Sequence, residues 1–265
     1  MNTEIRIKDF SSSGFEGYLN PNGLQKIGLT FDADWAPDFV MKTILDHLEK
    51  LKVCATIFCT HSSDLLQSQN YRGIERAIHP NFLQNSTQGN TPNKVMVYLK
   101  ELYPDAVGIR AHSLYFSSKH WVLYQQYRIK YESNLMLPYQ SNVQPFHHYS
   151  GILRVPYVWG DDTHILYGRG FNIDDMGLKT AGLKVIVFHP MNIYLNLGKD
   201  LRPTEEIKRM RVPFPELTED QISKFIRNGP GLFTLFEKFL AYVKQNGIEV
   251  YSLQQLTKDF PVGSY

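Results

Sequence analysis

Four short apolar runs, each followed at once by polar side chains, constrain this chain more than any other feature. IGLTF (27–31), VCATIF (53–58) and VIVF (185–188) carry no charge, and IERAI (74–78) is a weaker member of the set. Uncharged runs of this length read as strands buried on both faces, as in parallel sheets. Helical spacing separates them. Phe39, Val40, Ile44, Leu45, Leu48 and Leu51 recur along one face after Pro37. Thr91-Pro92 offers a capping hydroxyl and a first-turn proline for a helix running to about Tyr103. Residues 231–246 are amphipathic and stop at Gly247. Further strands are expected over 107–109, 129–132, 152–155 and 248–251, with a helix over 118–127. Residues 138–150 read as irregular, and 200–230 as helical pieces broken by Pro203, Pro213 and Pro215. The alternation predicts an α/β fold with a parallel sheet, open or closed. No repeat or linker divides the 265 residues, so one domain over 1–265 is expected, with 1–25 as a polar lead-in.

Composition narrows the function classes. A formal charge of +2 without a Lys/Arg run argues against a nucleic-acid groove. No stretch approaches eighteen uninterrupted apolar residues, so no membrane span is expected. MNTEIRIKDF has no apolar core of a secretory signal. Cys54 and Cys59 lie five apart in one expected strand, on opposite faces, so no mutual disulfide is expected. Together these features predict a cytoplasmic location; oligomeric state is not legible.

Parallel sheets carry their chemistry at the carboxyl ends of strands, and the polar residues gather there. The first strand ends in Asp32-Ala-Asp34-Trp35, the second in Thr60-His61, the third in His79-Pro80-Asn81 and the fourth in Arg110-Ala-His112-Ser113. A later strand runs into Trp159-Gly-Asp161-Asp162, and VIVF ends in His189-Pro190. Strand residues two apart face the same way, so Asp32 and Asp34 are expected to converge. Two close carboxylates repel unless a cation sits nearby. A divalent metal bound by Asp and His side chains satisfies this, leaving one aspartate free as a base. The competing reading of the pair is an exposed turn that caps a helix.

With these residues in view, TFDADWAP, IHPNF, IRAHS and VPYVWGDD resemble the polysaccharide deacetylases with the NodB homology domain (carbohydrate esterase family 4). More narrowly they resemble the WbmS-like branch linked to O-antigen biosynthesis loci. The resemblance covers residues 27–251. It implies a single distorted (β/α) barrel, usually of seven strands, that hydrolyses N-acetyl or O-acetyl groups of sugars with one divalent ion. That ion is zinc first, with Co²⁺, Ni²⁺ or Mn²⁺ as alternatives.

The resemblance assigns the general base to Asp32, a metal ligand to Asp34 and another to His79. It assigns a groove-lining arginine to Arg110 and the leaving-group acid to His189. The aspartate that tunes this histidine falls on Asp161 or Asp162, undecided. The family's second motif has a further histidine where Leu83 and Gln84 stand here, and His112 occupies a position that is usually proline. The third ligand is therefore expected to be His112, with His61 in reserve. Trp35, Tyr157 and Trp159, with Tyr115 and Tyr139, are candidates for stacking on sugar rings. His164 is a candidate substrate contact, and His147-His148 read as loop residues. The expected activity is removal of an acetyl group from a sugar of a surface polysaccharide or its precursor. Two alternatives stay open: a sugar-binding protein with a degenerate site, and an amidohydrolase on a non-sugar amide.

Overall fold

The computed structural model describes residues 26–258 and 260; the expected lead-in over 1–25 lies outside the described residues. The strands are β1 (Ile27–Asp32), β2 (Ala55–Cys59), β3 (Ile74–Ile78), β4 (Gly108–Ile109), β5 (Tyr131–Glu132), β6 (Phe146–His147), β7 (Leu153–Arg154), β8 (Trp159–Gly160), β9 (Lys184–Phe188) and β10 (Val250–Tyr251). The helices are α1 (Asp38–Leu51), α2 (Asp64–Gln67), α3 (Pro92–Leu102), α4 (His120–Gln126), α5 (Asp161–Leu166), α6 (Pro190–Tyr194), α7 (Arg202–Arg209), α8 (Glu219–Ile222), α9 (Leu232–Gln245) and α10 (Leu253–Thr257).

The sheet runs in the order β6-β7-β5-β4-β3-β2-β1-β9-β8, with β10 beside the start of β1. Every pairing is parallel except β6 with β7. Ten strands form where about seven were expected, and the hydrogen bonds explain the difference. β7 and β8 are two ends of one bent stretch. Between them Val155 N–H donates to Glu132, and Tyr157 exchanges bonds with Leu135 and Leu137; Val158 N–H then crosses to Val185 on β9. That stretch joins β5 to β9 and curls the sheet into a distorted barrel. β6 is an addition at one edge, and β10 sits beside the amino-terminal end of the central strand β1.

Two apolar layers hold the curl. Outside, Val40, Met41, Ile44, Leu45 and Leu48 of α1 and Phe236, Phe239 and Leu240 of α9 cover the sheet. Inside, Phe58, Val155, Tyr157, Val185 and Val187 fill the barrel, and α10 plugs the amino-terminal end with Leu253 and Leu256. The sheet leaves no room for larger residues at two glycines. A Cβ on Gly28 would lie 2.9 Å from Leu256, and one on Gly108 would lie 2.1 Å from the Tyr131 phenol. That phenol donates to Glu75, which also receives Thr56 and the backbone N–H of Gln254. The carboxyl-terminal rim is left for chemistry. Both cysteines are free, and no described helix is long and apolar enough to cross a membrane.

Candidate active site

β1 delivers Thr30 and Asp32 to one face, and Arg110, just past β4, reaches both. Its Nη1 donates to Asp32 Oδ1 at 2.7 Å and to Thr30 Oγ1 at 3.0 Å. Nε and Nη2 donate to Ser133, and the guanidinium lies 4.2 Å from the Phe58 ring centroid and 4.9 Å from that of Tyr157. Arg110 was expected to line the groove, yet it is fully buried. A buried guanidinium persists only when its donors are satisfied and a carboxylate balances it. Asp32 is that partner. Arg110 therefore stands behind Asp32 and orients it, while Asp32 lines an inner cavity of about 240 Å³.

Asp34 reaches the same cavity by a different route from the one expected. β1 ends at Asp32, and the chain then turns left-handed, with φ of 43° at Asp34 and 60° at Trp35. Such geometry is tolerable for aspartate and strained for tryptophan, at roughly 1–3 kcal/mol. Three hydrogen bonds hold the turn: Ala33 N–H to Phe58, Trp35 N–H to Thr60 Oγ1, and Ala36 N–H to Ala33. The two aspartates converge through this turn rather than through strand periodicity.

Three imidazoles surround Asp34. His79 Nε2 is 3.2 Å and His112 Nδ1 3.0 Å from Asp34 Oδ1, and His189 Nε2 is 3.6 Å from Oδ2. Burial opposes ionisation of Asp34, but hydrogen bonds from His112 and His79 and the charge of His189 outweigh it and hold the carboxyl far below its ordinary range. One donor atom from each of Asp34, His79 and His112 lies within 4.8 Å of the others. An ion about 2.0–2.2 Å from each of its ligands sets neighbouring ligands some 3.3–3.6 Å apart in a tetrahedron. The observed 3.0 and 3.2 Å separations fit such an ion after slight expansion.

The backbone clamps this group. His79 N–H donates to Cys59 and His112 N–H to Pro80. Gln88, buried in the loop after β3, donates through Nε2 to the carbonyls of Thr60 and His79 and accepts Asn81 N–H. His61, the reserve ligand, is turned toward Thr60 Oγ1 and is not a member of the cluster.

The undecided aspartate pair also separates. Asp161, fully buried at the start of α5, accepts His189 Nδ1–H at 2.6 Å and His189 backbone N–H at 2.8 Å, and also Asn192 and Asp162 N–H. Burial alone would lower the His189 imidazole; the Asp161 carboxylate beside it instead raises it well above its ordinary value. Asp162 is exposed and accepts its neighbour Thr163 N–H. It lines the cavity but does not hold the histidine.

Among the aromatic candidates, Trp35 lines a larger groove of about 580 Å³ that shares Asp34, His112, Asp162 and His189 with the inner cavity. Tyr157 lines the cavity wall, with Arg110 over its ring. Trp159 is not available to a sugar. It is 1% exposed, packs on Phe188 and donates its indole N–H to His164 Nδ1. His164 in turn donates from Nε2 to Gly170 and lines neither space. His147 belongs to β6 rather than to a loop, and His148 stacks on Trp121. Gln88, Ser133 and Asn192 were not legible beforehand, because amides and hydroxyls in polar segments carry no pattern of their own.

The assembled rim pairs a carboxylate oriented by an arginine with a three-donor cluster and a proton-holding histidine, all facing one cavity. That set suits hydrolysis of an ester or amide. A sequence model described as WbmS-like polysaccharide deacetylase matches residues 29–203, well over half of the chain. The chain belongs to the WbmS-like polysaccharide deacetylase family. A solved structure from Bordetella bronchiseptica, a candidate polysaccharide deacetylase involved in O-antigen biosynthesis, is 30% identical. It covers 84% of this chain and 93% of its own, with a TM-score of 0.73. A candidate polysaccharide deacetylase from Mycobacterium smegmatis is 16% identical over 88% of each chain, TM-score 0.55. The 4-α-glucanotransferase of Thermococcus litoralis is 11% identical over 91% of this chain and 40% of its own, TM-score 0.51. The last two speak for the α/β fold alone. No curated protein matches. WbmS-like membership makes the chain a carbohydrate-directed deacetylase by family, and Asp34, His79 and His112 form one group on its rim able to take a metal.

Proposed function

We propose that this chain hydrolyses an acetyl group, N-linked or O-linked, from a sugar of a surface polysaccharide or its precursor, with one divalent ion, zinc first, held by Asp34, His79 and His112. When bound, the ion supplies Lewis acidity to the acetyl carbonyl and lowers the pKa of water. Asp32 takes the proton of the attacking water. Its Oδ1 is occupied by Arg110, and no described donor reaches its other oxygen, which is left for the cavity. His189 gives its proton to the departing sugar nitrogen or oxygen, and acetate is released. Asp161 keeps the imidazole charged and fixes Nδ1–H inward, so that Nε2 faces the cavity. Two free cysteines suit a reducing, cytoplasmic compartment.

The observation that carries this reading is the convergence of Asp34, His79 and His112 from three different strand ends beside Asp32 and the Asp161–His189 pair. The test is acetate release from N-acetyl and O-acetyl sugars by the purified chain, with and without chelator, alongside Asp32→Asn. The reading expects metal-dependent release and a loss of about 10²–10⁴-fold in the variant with metal still bound. An Asp32→Asn protein that binds metal and keeps full activity removes the base assignment. A metal-free chain that binds glycans without releasing acetate supports the binding-protein alternative.

A further inference from the structure

The inner cavity, at about 240 Å³, is smaller than the roughly 300–1,000 Å³ typical of small-molecule sites. The adjoining groove, at about 580 Å³, falls inside that range and opens from the same four rim residues. Anything larger than a single acetylated sugar must therefore extend along the groove. Its outer wall is made by Thr204 and Lys208 of α7 and by Pro213, Phe214 and Pro215. All five lie beyond residues 29–203, the part that matches the family.

The chemistry of the wall is specific. Thr204 and Lys208 are four residues apart, on one face of a helix whose Pro203 and Ile207 are buried. Thr204 lines the groove as a residue, although its Oγ1 is itself buried and has no hydrogen-bond partner among the described residues. Lys208 is the one Lys or Arg along the groove and makes no ion pair with any described residue. The carboxylates along the groove, Asp34 and Asp162, belong to the catalytic end. Phe214 and Trp35 add half-buried aromatic surface of the kind that receives the apolar face of a pyranose.

We propose that the groove holds a second sugar unit or substituent of the substrate that bears an anionic group, a hexuronate carboxylate or a phosphate, and that Lys208 selects for it. This rests on the deacetylase reading for the word substrate, but binding alone tests it. The full-length chain is titrated by calorimetry at low salt with three probes: a disaccharide of N-acetylhexosamine and hexuronate, the same disaccharide with a neutral hexose, and N-acetylhexosamine 1-phosphate. At least one anionic probe should bind about fivefold more tightly than the neutral disaccharide, the upper end for an exposed ion pair. Preference for the hexuronate identifies a carboxylate, and preference for the phosphate identifies a phosphate. The preference should vanish in Lys208→Gln and fade as salt rises. Equal affinities for all three probes, or a preference that survives Lys208→Gln, overturns the proposal. Acetate release from the same probes is read separately, so loss of turnover and loss of selectivity are told apart.

Discussion

Replacing Asp161 by asparagine removes the anion beside His189 while keeping its size. The structure sets the magnitude. Asp161 Oδ1 accepts His189 Nδ1–H at 2.6 Å, which places opposite charges about 4 Å apart. At an effective dielectric constant of about 20 that interaction is worth about 4 kcal/mol. If it is expressed fully in the transition state, where His189 acts as acid, the rate falls by about 10³. The amide also turns an NH₂ toward one set of donors. His189 backbone N–H and Asn192 now meet Asp161 Oδ2, and His189 Nδ1–H and Asp162 N–H meet Oδ1. Either orientation of the amide leaves buried donors unpaired, at roughly 1–3 kcal/mol each.

The pH dependence has a definite sign. The carboxylate raises the His189 pKa, so the acid keeps its proton to higher pH and activity is lost as pH climbs through that raised value. In Asp161→Asn the alkaline fall should come at lower pH. The assay is kcat against pH for acetate release at saturating metal, with denaturant unfolding run in parallel. A variant whose kcat stays within twofold and whose alkaline limb does not move refutes the pairing argument.

Other outcomes follow from the same geometry. Arg110→Met should destabilise the fold by about 3–5 kcal/mol in denaturant unfolding, because it leaves Asp32 buried beside an apolar chain; Arg110→Lys should recover little, since one ammonium cannot reach Asp32, Thr30 and Ser133 together. His112→Ala should lose bound metal measured by elemental analysis, whereas His61→Ala should keep about one ion per chain. Gly108→Ala should cost about 2 kcal/mol in thermal or denaturant unfolding, since its methyl overlaps the Tyr131 phenol that bonds half-buried Glu75.

The long buried strands were legible because parallel strands read as continuous apolar runs. β1, β2, β3 and β9 stand within a residue or two of their expected ends. The two-residue strands were not sharply legible: β4, β5 and β7 pair over only two residues, too few to bound by composition. β6, α5, α6 and α10 went unread, since each is short and takes its stability from what it packs against. In the site, the rule that parallel strands end in chemistry brought Asp32, Asp34, His79, His112, Asp161 and His189 into view. It could not show depth. An arginine in a sequence defaults to the surface, and only tertiary partners, Asp32 78 positions away and Ser133 23 positions away among them, explain why Arg110 is buried. Trp159 looked like a stacking platform because its packing on Phe188 and its bond to His164 are tertiary facts.

An anomalous difference map from crystals grown with zinc tests the central claim most directly. The account predicts one strong peak about 2.0–2.2 Å from Asp34 Oδ1, His79 Nε2 and His112 Nδ1. No peak there in zinc-saturated crystals, or a peak held by other side chains, contradicts it.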